Sequence, residues 1–127
     1  MASNVKSAIV LFAHGARDAH WAEPFRKMQS MVREKKPGVP VELAFLELMQ
    51  PSLDEAIADL VARGIKNISV IPLFMAQGGH LKKDLPRRLS EIRKHHPTIS
   101  FRISPPIGEV EGILTAIADW ICKEHNP

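Results

Sequence analysis

Two histidines and one glutamate carry most of the chemistry this sequence offers. His14 follows the apolar run AIVLFA and precedes Gly15, while His80 follows the apolar run Ile68–Met75 and the pair Gly78-Gly79. Beta-branched residues and leucine flanked by breakers read as buried strands, so each imidazole is expected on the loop just past the carboxyl end of a strand. In open α/β sheets that edge is where ligands bind. Two imidazoles converging there suit a divalent transition metal such as Co, Ni, Fe or Zn, or proton transfer. Glu47, in FLELMQP, falls at the end of another apolar segment on the same edge. A carboxylate there completes a two-His, one-carboxylate set with open positions, or takes protons from a substrate. The blander readings are loop histidines bonded to backbone and a surface glutamate.

Arg17, Lys82 and Lys83, with Arg87 and Arg88, cluster by sequence on the segments that flank the two histidines. Such a set binds several carboxylates or phosphates, with arginine supplying bidentate contacts. The alternative is a solvated charged helix face. Gly78 and Gly79 allow positive φ or a close backbone approach to a ligand, and Met75 is placed to line the same cleft. His20, His95, His96 and His125 read as surface residues near helix ends. The glycines form no dinucleotide or Walker fingerprint, and Ser7, Ser69 and Thr98 lack a nucleophile elbow.

These residues need a scaffold, and the pattern supplies one. Strands are expected at Ala8–Phe12, Val41–Leu46, Ile68–Leu73 and Ser100–Ile103. Helices are expected over Trp21–Glu34, Leu53–Arg63, Leu85–His95 and Val110–Lys123, from apolar residues recurring every three or four positions. Ser52 and Glu55 form a capping-box signature before the second helix, and Gly64 ends it. Asp84 and Pro86 read as the start of the third helix. Four strand–helix alternations predict an α/β fold, a four-stranded parallel sheet with helices on both faces. Strand order 2-1-3-4 is favoured, because it sets strands one and three side by side with His14 and His80 at the switch point between them.

At 127 residues, one domain over 1–127 is expected. The net charge of +3 is too small to argue for nucleic acid but suits an anionic small ligand. With no tyrosine and 6% aromatic residues, base-stacking platforms are not expected. The single Cys122 leaves no internal disulfide or Cys-rich cluster site and fits a reducing, cytoplasmic setting. No apolar run approaches a membrane span or a signal-peptide core.

LFAHGARD, FLELMQPSL and IPLFMAQGGHLKKDLP together resemble the sirohydrochlorin chelatases, the small CbiX and SirB group. The resemblance runs in order from about Ile9 to Leu89, and its third motif, PLF..GGH...DLP, is the specific one. It implies a chelatase-like half-domain working as a homodimer and inserting Co2+, Ni2+ or Fe2+ into a carboxylate-rich tetrapyrrole for cobalamin or siroheme synthesis. His14, His80 and Glu47 match the family's metal-binding and catalytic positions. The basic side chains would hold the carboxylates, with the ring held bent. The metal is substrate, and no organic cofactor or iron–sulfur cluster is expected. Where the family often reads GHGS, this chain has Ala13-His14-Gly15-Ala16 and so no hydroxyl at position 16. The rival readings are a non-catalytic metal or tetrapyrrole carrier, a protoporphyrin ferrochelatase relative, and a phosphate- or nucleotide-binding α/β module.

Overall fold

The computed structural model describes residues 6–125, so residues 1–5 and 126–127 of the expected domain lie outside the described residues. The chain runs β1 (Ser7–Ala13), α1 (Glu23–Lys35), β2 (Val41–Phe45), α2 (Leu53–Ala62), β3 (Asn67–Pro72), α3 (Gly79–His95), β4 (Ser100–Ile103) and α4 (Glu111–Glu124). Single 3-10 turns at Ala19–Ala22 and Ile107–Glu109 precede α1 and α4. All strand pairings are parallel and the order is β2-β1-β3-β4, as expected. The central strand β1 pairs Phe12 with Ala44 on one side and with Pro72 on the other.

Alternation along β1 divides the core. Ala8, Val10 and Phe12 point to the face covered by α2 and α3, where they meet Leu53, Ile57, Leu60 and Val70. Leu11 and Ala13 point to the face covered by α1. Each large apolar side chain removed from water in this way contributes about 1.5–3 kcal/mol. The capping box is present: the Ser52 N–H donates to Glu55 Oε1 (2.9 Å) and the Glu55 N–H to Ser52 Oγ (3.1 Å). On the other face, Gln29 Nε2 and Arg33 Nη2 both donate to the Val41 carbonyl (2.7 and 2.8 Å), fastening α1 to edge strand β2.

Four expectations need correction. Trp21 lies in the 3-10 turn rather than in α1, because Asp18 accepts from the His20 N–H (2.9 Å) and starts that turn first. The third helix begins at Gly79, not Leu85, so Pro86 lies inside it. An internal proline costs on the order of 3 kcal/mol. The stripe Leu81, Leu85, Leu89 and Ile92, all buried, outweighs that. Strand β3 is not buried on both faces: Ile68, Val70 and Pro72 are, while Asn67, Ser69 and Ile71 are half-covered. Helix α4 carries its expected apolar stripe but does not lie on the sheet. It has no buried residue, and its main contact is with the 3-10 turn before it.

Candidate functional site

β1 ends at Ala13, and His14 is the first residue past it. The imidazole lies on the ring of Phe74, with centroids 4.4 Å apart and planes at 51°. Phe74 is itself 1% exposed and packs edge-on against Phe12 (5.6 Å). The ring therefore rests on a floor fixed in the core, while its other side faces solvent.

The edge between β1 and β2 stays paired beyond the strands. The Leu46 N–H donates to the Ala13 carbonyl (2.8 Å) and the Glu47 N–H to the His14 carbonyl (3.1 Å). Gly15 has φ +91, and a Cβ there would strike the Glu47 carbonyl oxygen. Only glycine fits such a place. The chain then turns back at once: Leu48 takes φ +65 and the Met49 N–H donates to the Glu47 carbonyl (2.8 Å). Glu47 stands exposed at this turn.

His80 is not on a loop. It is the second residue of α3, exposed in the first helical turn. The N-cap, Gly78, offers no side-chain bond, and the first turn holds no acid. The free N–H groups and the positive end of the helix dipole therefore point at this edge. His80 borders a cavity of about 150 Å³ with Leu46, Leu81, Asp84, Leu85 and Arg88. Leu46 links the two halves of the site, since it lies in that cavity wall and also pairs with Ala13 beside His14.

His14, Glu47 and His80 thus share one edge, but they do not form a ready-made ligand set. Among the described residues, no three His, Cys, Asp or Glu side chains are arranged to hold one metal ion. Glu47 meets His14 through backbone only. Gly78 and Gly79 take no positive φ, and a Cβ on either meets open space, so the strained conformation expected there lies instead at Gly15. Met75 is 54% exposed and its backbone abuts Gly108. Arg17 is exposed beside His14, and Lys82 and Lys83 are exposed on α3. With Arg87 and Arg88, none of these cations is ion-paired to another described residue.

Sequence reasoning missed Phe74, Leu46 and the contact of Gly15 with Glu47. Phe74 reads as one more apolar residue of its strand run, and Gly15 as an ordinary turn glycine. Only pairing between distant segments reveals what each touches.

Fold and edge together define an α/β domain of the chelatase type. The chain belongs to the CbiX family, whose family model matches residues 8–124. It is 34% identical to the sirohydrochlorin cobaltochelatase of Sulfurisphaera tokodaii over 113 residues, 89% of each chain. It is 30% identical to the chloroplastic sirohydrochlorin ferrochelatase of Arabidopsis thaliana, covering 92% of this chain and 53% of that one. Among solved structures, a CbiX protein from Marinobacter aquaeolei superposes with a TM-score of 0.80 at 34% identity, covering 93% of both chains.

Proposed function

We propose that this protein is a chelatase that inserts a divalent metal into sirohydrochlorin, with Co2+ the ion favoured by the names of its relatives. The observation that carries the reading is the exposed imidazole of His14 on its Phe74 floor, on the same sheet edge as His80 in an uncapped helical turn, in a CbiX chain. His14 and His80 hold the incoming ion as neutral imidazoles, so activity falls at acid pH. A donor set left open in the chain suits an ion that must be given up, because closed four-ligand sites retain their metal.

Two pyrrole N–H protons leave as the metal enters the ring. Glu47, or an imidazole not engaged with metal, accepts them. Arg17, Lys82 and Lys83, all exposed and without ion-pair partners among the described residues, hold the substrate carboxylates. Met75, Gly78 and Gly79 border the ring. Divalent-metal affinity rises toward copper regardless of function, so supply and not affinity sets the metal used. We further infer one domain over 1–127 acting as a cytoplasmic homodimer, with no organic cofactor or iron–sulfur cluster and no nucleic-acid or membrane partner. Among the described residues, no helix is long and apolar enough to cross a membrane.

The test is the absorbance change of sirohydrochlorin mixed with Co2+, Ni2+ or Fe2+ and catalytic amounts of protein, with protoporphyrin run alongside. Many turnovers on sirohydrochlorin support the proposal. A single stoichiometric change without turnover marks a carrier, and preference for protoporphyrin marks the other chelatase class; either overturns it.

A further inference from the structure

We infer that Leu48 is a specificity-determining residue, an apolar support on which the flat face of the macrocycle rests beside Glu47. The inference rests on the proposed tetrapyrrole substrate, and adds to it a residue that selects for the ring rather than for its carboxylates. Two observations carry it. The first is exposure. Leu46 packs against the core on the α2 and α3 side of the sheet, and Met49 against the core on the α1 side. Leu48, between them, joins neither and is 58% exposed. The second is backbone conformation. Leu48 has φ +65, and among the described residues it is the one non-glycine residue with positive φ. The Met49 N–H donates to the Glu47 carbonyl across it (2.8 Å), which closes a γ-turn. With positive φ at its centre, that turn is rare and strained.

Leucine is a poor choice for such a position unless its side chain is used. Glycine or asparagine adopts the same φ at less cost, and burial gives Leu48 little in return. The neighbouring bonds hold the turn in place. The Leu46 and Glu47 N–H groups donate to the Ala13 and His14 carbonyls (2.8 and 3.1 Å), and the Phe45 N–H donates to the Pro51 carbonyl (2.9 Å). Strain kept by its surroundings in this way clusters at ligand-binding segments. The sheet order then sets Leu48 after β2, His14 after β1 and Met75 after β3, three neighbouring strands. Leu48 and Met75, both more than half exposed, thus follow the strands on either side of the one that ends at His14. The cations Arg17, Lys82 and Lys83 suit carboxylates at the rim of a ring, but they would suit any other polycarboxylate as well. An apolar side chain tells these apart, because it gains only when an apolar face covers it. Leu48 seats that face next to the Glu47 carboxylate, the proposed proton acceptor.

The experiment measures binding of metal-free sirohydrochlorin by its fluorescence, with no metal ion present, to the wild type, Leu48→Gly, Leu48→Asn and Leu48→Met. Leu48→Gly and Leu48→Asn keep the left-handed turn and remove the apolar side chain. Each should hold or raise the urea midpoint and yet raise Kd about tenfold. Leu48→Met restores an apolar surface and should bind within about twofold of the wild type. The loss in the first two should be as large at high salt as at low, unlike that of Lys82→Ala with Lys83→Ala. Wild-type affinity in both Leu48→Gly and Leu48→Asn overturns the inference and leaves the chelatase reading standing; a loss of self-association beside it would mean that a second copy covers Leu48. A rise in Kd that comes with a lower urea midpoint in both variants marks a structural role and also overturns it, as does a loss that fades in salt. A wild type that does not bind sirohydrochlorin overturns the proposed function and this inference together.

Discussion

Gly15 controls the geometry around His14 and Glu47 through one contact, its closeness to the Glu47 carbonyl at φ +91. Alanine there must leave the left-handed region or push the Glu47 turn away, and a strained residue of this kind costs about 1–3 kcal/mol. Gly15→Ala should therefore lower stability in urea denaturation and reduce metal insertion at least several-fold, since His14 and Glu47 share that turn. Wild-type values of both would show that the contact does not matter. The positions of His14 and Glu47 at strand ends were legible from the apolar runs before them. What each rests on was not, because Phe74, Leu46 and the Glu47 carbonyl come from segments distant in the chain.

Among the elements, α2 and α3 show opposite degrees of legibility. Ser52 and Glu55 announced α2 correctly, because a capping box is local chemistry three residues apart. Ser52→Ala should cost about 1 kcal/mol by urea denaturation. Bonds from the Ser52 N–H and then its hydroxyl hold the Glu55 carboxyl below its ordinary value. A depressed folded-state value means that stability is present above the ordinary carboxylate range and lost as pH falls through the lowered one. The destabilisation caused by Glu55→Ala should accordingly be full at neutral pH and shrink in acid; a deficit unchanged with pH would contradict the cap. By contrast, α3 was misread because Asp84 and Pro86 imitate a helix start. The buried stripe from Leu81 to Ile92 decides the helix instead, and it moves His80, Lys82 and Lys83 from a loop onto a rigid element. An imidazole in a helical turn holds its direction better than one on a loop.

For the whole molecule, the sheet order followed from the strand–helix alternation and the need to bring two histidines to one edge, and it is the order observed. The half-open face of β3 and the outward α4 were not legible, since an apolar stripe reveals that a helix packs but not on what. Net charge is +3, and the cations near the site lack ion-pair partners among the described residues. Capture of a polycarboxylate should then be electrostatic. Lys82→Ala with Lys83→Ala should raise KM for sirohydrochlorin several-fold at low salt, and by less at high salt as screening shortens to about 3 Å at 1 M. An increase that ignores salt would argue against electrostatic capture. The most direct measurement is the rate of Co2+ insertion into sirohydrochlorin, followed by absorbance, for His14→Ala and His80→Ala with folding checked by circular dichroism. Each variant should lose activity on the order of 100-fold, and full activity in both would contradict metal handling at this edge.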